Sequence, residues 1–173
     1  MLSLPVLISI LLLMAAPGPT NALLASHGAT SGGFRALVPV AAAYGVALTA
    51  YAMLLPFFSN APQALVALKL ICAAWLCVLA ARCWRATQVG AGGGFFMTTL
   101  LNPKAAFLAL ALPPSMGALA LDLIGIGCAM AAGALWLLVG VGAGRMGAGP
   151  YAAKASALVS ATAAGVIIAS VAA

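Results

Sequence analysis

The sequence predicts an all-α membrane protein with six transmembrane helices in a 3+3 inverted repeat, helices 1 and 4 being broken. Three features carry this expectation. The composition is too apolar for a water-covered globule, the apolar runs between turn-forming residues are long enough to cross a bilayer, and two proline-broken segments fall at matching places in the two halves.

Composition fixes the solvent first. Of 173 residues, 66% are apolar and 5% charged, with a mean hydropathy of +1.23. Seven Lys+Arg and one Asp+Glu cannot supply the polar shell of a soluble domain. The net charge of +6 reads as an orientation signal and as contact with anionic lipid. The cations are scattered without aromatic interleaving, which argues against a nucleic-acid interface.

A hydrocarbon core of about 30 Å takes about 20 helical residues to cross. Six spans are predicted, at about 2–27, 36–55, 63–82, 94–112, 119–142 and 154–172. Turn chemistry separates them at Ser31-Gly32-Gly33, at Pro56 with Ser59-Asn60-Ala61-Pro62, from Gly90 to Gly94, at Pro113-Pro114-Ser115 and from Gly147 to Pro150. No charged segment is left over, so residues 1–173 form one membrane domain with half-repeats at about 1–87 and 88–173. The first apolar run lacks the cationic start of a signal peptide, since no Lys or Arg precedes Arg35. Arg35, then Arg82 and Arg85, then Arg145 and Lys154 mark the first, third and fifth loops. Cytoplasmic loops are rich in such cations, so both termini are expected outside, and three spans per half put the halves in opposite orientation.

The first break is Pro17-Gly18-Pro19-Thr20-Asn21 and the second Leu101-Asn102-Pro103-Lys104, with Asn21 and Pro103 82 positions apart. Proline lacks an amide hydrogen and clashes with the carbonyl four residues earlier, so the carbonyls of Leu13, Ala15 and Thr99 are released. In lipid such groups persist where they line a cavity or meet a partner, and paired interruptions point to a midplane site in an inverted-repeat carrier. Freed carbonyls accept from a cation, and the half-helix after each break offers amides to an anion. Thr20, Asn21 and Asn102 add hydroxyl and amide groups. Lys104 lies about ten residues, roughly 15 Å, inside its span. Asp122, the only carboxylate side chain, belongs near the start of span five. An intramembrane cation marks function, and Lys104 is expected either to be held by freed carbonyls or to meet an anionic substrate.

The residues at these breaks resemble the LysE/RhtB amino-acid exporters. The resemblance rests on Pro17 to Asn21 followed by Gly32-Gly33-Phe34-Arg35 and Gly45, on Leu68-Lys69-Leu70 with Ala73-Ala74-Trp75-Leu76, and on Leu100 to Phe107 around Asn-Pro-Lys. It covers about residues 14–115. It implies a six-span bacterial inner-membrane exporter of amino acids or their derivatives, commonly dimeric and driven by the proton gradient. Pro17, Gly18, Pro19, Thr20, Asn21, Asn102, Pro103 and Lys104 would bind substrate.

Coupling has few candidates. His27 is the only histidine, so a proton-relay role falls to it or to Lys104, against an interfacial histidine and uncoupled export. No cofactor or metal is expected, because Cys72, Cys77, Cys83 and Cys128 show neither Cys-x-x-Cys nor zinc spacing. Cys72 and Cys83 share a helix face about 16 Å apart, too far to pair, which weakens a thiol-redox carrier. One Asp and one His leave too little for a hydrolase. The stronger rival is an accessory subunit, because Gly125, Ala129 and Gly133, and Ala153, Ala157 and Ala161, form small-residue faces. Such faces seal one monomer or join two.

Overall fold

The computed structural model describes residues 4–31, 33–85, 93–105, 108 and 118–172. Every element among them is helical. They are α1 (Leu4–Ala15), α2 (Pro19–Thr30), a 3-10 turn (Phe34–Ala36), α3 (Leu37–Asn60), α4 (Pro62–Arg85), α5 (Gly93–Leu100), α6 (Ala118–Arg145) and α7 (Gly149–Ala172). Residues 103–105 and 108 are helical as well.

Four helices are long and apolar enough to cross a membrane, in α3, α4, α6 and α7. A fifth span forms if α1 and α2 are counted together, bent by 59° at the first break. The side chains agree with a lipid solvent. Leu12, Met53, Leu123 and Val166, from four different elements, are each at least 65% exposed, whereas Thr20, Asn102, Thr98, Thr99 and Ser160 are buried. A water-soluble monomer does not expose apolar surface on this scale while burying its hydroxyls and amides.

Several expected boundaries move. α3 runs on through Pro56 to Asn60, so Pro56 does not end it, and Ala61 alone separates α3 from α4. The start of α4 carries its proline at the first helical position, where no amide hydrogen is needed, and Ala64 N donates to Ala61 O at 3.0 Å. α4 extends to Arg85 and α6 to Arg145, while α7 begins at Gly149 instead of 154. Residues 106, 107 and 109–112 of the expected span at 94–112, and the turns at 90–92 and 113–115, lie outside the described residues.

The α6–α7 turn shows why the chain reverses there. Gly147 has φ +81, Ala148 N donates to Ala143 O and Gly147 N to Gly144 O, both at 3.0 Å. This double closure of a helix C-terminus needs the left-handed conformation that glycine adopts without strain.

Packing is closest where glycine replaces a side chain. α2 lies along α6, and a Cβ at Gly28 would strike the Leu137 carbonyl, one at Gly140 the Ala25 carbonyl, and one at Gly144 the Ala29 carbonyl. Further along α6, Gly125 faces Leu48 and Leu108, and Gly133 faces Leu37 and Leu24. The 125/129/133 stripe therefore seals the monomer. α7 packs along α4 and against α2, with Ala153, Ser156, Ala157, Ser160 and Ala164 buried. Ala161 is exposed, so the expected second stripe turns away at its third member, because a 3.6-residue repeat drifts off a strict spacing of four.

The cationic loops gather at one end. Lys154 Nζ sits 6.0 Å over the Trp84 ring, joining the end of α4, with Arg82 and Arg85, to the start of α7. Gly144, next to Arg145, abuts Ala29 near the end of α2 that leads on to Arg35.

Candidate functional site

At the first break, α1 ends at Ala15 and α2 begins at Pro19 after an extended Gly18 (φ −166, ψ 171). Proline at the first position of α2 is preorganised for a helix start, and Ala22 N donates to Gly18 O at 2.8 Å. The last carbonyls of α1 have no continuing helix to receive them. Side chains from three elements take them instead. Asn21 Nδ2 donates to Met14 O at 2.7 Å and to Ala16 O at 2.9 Å. Trp136 Nε1, from α6, donates to Ala15 O at 2.8 Å. Lys104 Nζ donates to Met14 O at 3.3 Å and also to Ala16 O.

The second break closes locally. Asn102 N donates to Thr99 O at 3.1 Å, which occupies the carbonyl that Pro103 releases. Asn102 Oδ1 accepts from Lys104 N at 3.1 Å, and Ala105 N donates to Asn102 O at 3.1 Å. Asn102 is thus the N-cap of the helix that Pro103 opens.

The two breaks touch. Asn102 Nδ2 donates to Thr20 Oγ1 at 3.0 Å, and Thr20 Oγ1 lies 3.3 Å from Thr99 Oγ1. Gly18 is backed by the Lys104 side chain, where an added Cβ would lie 3.0 Å from Lys104 Cε. Its extended conformation is open to any residue, so a side chain here would ask only the flexible Lys104 stem to give way. Of the residues expected to bind substrate, Gly18, Thr20, Asn21, Asn102 and Lys104 therefore meet in one polar knot. Pro17 and Pro19 shape its first half, and Pro103 starts the helix that carries Lys104.

A cavity of about 290 Å³ adjoins this knot between α2, α6 and α7. Pro17 and Trp136 stand at its break end, Ser26 and Gly140 along its side, and Ala148 and Tyr151 at the cationic end. Its walls are almost wholly apolar, and Asn21, Asn102 and Lys104 do not line it. The sequence leads one to expect freed carbonyls at the breaks, holding Lys104 or lining a cavity. Asn21, Trp136 and Lys104 occupy the carbonyls of α1, and the neighbouring space is lined chiefly by alanine, with Trp136, Tyr151, Val139 and Val159 and the serines Ser26 and Ser156.

His27 stands apart from the knot, six residues beyond Asn21 on α2, about 9 Å of helix rise. It is buried, with Nδ1 2.8 Å from Ser31 Oγ and its ring edge-on to Phe95 at a centroid distance of 5.6 Å. Lys104 is not among its partners. No group of three or more His, Cys, Asp or Glu suited to a metal occurs among the described residues, and their cysteines are free thiols.

Trp136 is the site residue that sequence reasoning misses. Its signal is position, since a tryptophan far from either end of a span lies away from the membrane interface where that residue usually settles. Trp75 shares the signal, its Nε1 donating to Thr98 Oγ1 at 3.3 Å. Compared with known protein families, with curated proteins and with solved structures, the chain matches none of them.

Proposed function

We propose that the chain is a secondary transporter of the bacterial inner membrane that exports amino acids or small amino-acid derivatives by alternating access. One observation carries the reading. Two interrupted helices from opposite halves of the sequence meet, and the ammonium of one lies on carbonyls that the break in the other frees from its helix. A closed structural bundle gains little from setting a lysine on main-chain carbonyls of another helix, whereas intramembrane cations at broken helices serve substrates and ions.

The arrangement of the helices supports a 3+3 repeat of six spans. Span one, as α2, packs on span five, as α6, and reciprocally span two, as α3, packs on span four, as α5. Span three, α4, pairs with span six, α7. A two-fold relation in the membrane plane generates this set of contacts. The gathering of Arg35, Arg82, Arg85, Arg145 and Lys154 at one end favours that end as cytoplasmic, with both termini outside. The motifs shared with LysE/RhtB exporters point the same way.

In this mechanism Lys104, with the helix start at Pro103, receives the substrate carboxylate, and the α1 carbonyls receive its ammonium. Proton coupling through His27 would have to act over about half the length of α2, since His27 does not touch the knot.

The test is counterflow in vesicles containing only the purified protein, using a panel of amino acids. Lys104→Gln should lower flux at least about tenfold, the worth of roughly one charge-assisted hydrogen bond, while insertion is retained. Wild-type flux in that variant removes Lys104 from the mechanism. Absence of flux for every solute favours the accessory-subunit reading, which the complete capping of Met14, Ala15 and Ala16 also suits.

A further inference from the structure

The ammonium of Lys104 occupies the place that the transport reading assigns to the ammonium of a substrate. Its described acceptors are the carbonyls of Met14 and Ala16, at the negative end of α1 where helix carbonyls favour cations. Asn21 Nδ2 donates to the same two oxygens, so the amide and the ammonium together satisfy them. Gly18 leaves room beside the Lys104 stem, with 3.3 Å from its notional Cβ to Nζ. The lysine is tethered to the other half of the chain, because its own backbone amide is fixed by Asn102 Oδ1 and Asn102 is bonded to Thr20.

We infer that the C-terminus of α1 is a primary-ammonium site which Lys104 fills as a built-in ligand, and that a zwitterionic substrate enters by exchange. The substrate ammonium takes the Met14 and Ala16 carbonyls, and the displaced Lys104 ammonium pairs with the substrate carboxylate. Both parts of the exchange are needed. A simple amine offers no carboxylate to the displaced lysine, which would be left charged, half-buried and unpaired. A simple carboxylate would draw Lys104 away and leave two carbonyls without a cation. Selectivity for solutes carrying both charges then follows from the tether. The second half of this inference rests on the exporter reading, while the ammonium site itself does not.

The experiment is thermal unfolding of the purified, detergent-solubilised full chain. Lys104→Ala should unfold several degrees below wild type. Ethylammonium at about 50 mM should restore roughly half of that loss by binding the folded state. Tetramethylammonium, of equal charge but without N–H donors, should restore none, and neither amine should move wild type. If Lys104→Ala folds poorly, folded yield after expression and extraction with each amine supplies the same comparison. A response equal for ethylammonium and tetramethylammonium, or absent for both, overturns the ammonium site. Rescue by ethylammonium with no counterflow of any amino acid leaves the site standing and removes the exporter reading. Counterflow without rescue does the reverse.

Discussion

The two breaks solve one problem in different ways. At the second, the sequence supplies its own closure, because Asn102 caps the helix that Pro103 opens and its amide takes the Thr99 carbonyl. At the first, only Asn21 is local, and Trp136 from α6 and Lys104 from beyond the second break complete the set. A self-capped break keeps its shape wherever the rest of the molecule moves. The first break keeps its shape only while three elements stay together, so it is the half whose polar groups become available when they part.

The largest effect should come from unseating α2, which carries the first break. Gly140→Leu drives a side chain into the Ala25 carbonyl and should cost more than about 3 kcal/mol, seen as loss of monodisperse protein. Two residues away, Gly142 has nothing near its notional Cβ. Gly142→Ala should change stability by less than about 1 kcal/mol, in the stabilising direction. Equal behaviour of the two variants would show that α2 is not seated on α6 by glycine.

The contrast between the breaks is sharpened by their asparagines. Asn21→Leu removes two bonds to the Met14 and Ala16 carbonyls and should cost about 2 kcal/mol. Asn102→Ala removes an N-cap and should cost about 1 kcal/mol. Unfolding titrations that rank them in the opposite order would break the comparison.

The smallest effect is expected at Trp136→Phe, which keeps the ring and loses one donor to Ala15 O. An intramembrane hydrogen bond averages about 0.6 kcal/mol, so this variant should lie close to wild type, while Trp136→Ala, which also opens the cavity wall, should not.

Much of this is legible in the sequence. Pro17, Pro19 and Pro103 mark both interruptions because proline acts within its own turn of helix. The glycine spacing at 125 and 133 announces a close approach, though it does not name Leu48, Leu108, Leu37 and Leu24 as the neighbours. Pro56 misleads, since a proline ends a helix only when the rest of the local pattern agrees, and α3 continues to Asn60. Trp136 lies 121 positions from Ala15, and a bond of that separation leaves no periodicity to read. The capping of α1 is for the same reason invisible until the chain is folded.

The glycine seams between α2 and α6 bear on how such a bundle can move. Backbones that approach this closely slide poorly, because every shift drives a carbonyl into a neighbouring Cα, so these two helices travel as one lever. Any rearrangement then falls on the 59° elbow between α1 and α2, whose α1 limb is held by Asn21 of α2 and by Trp136 and Lys104 of the second half.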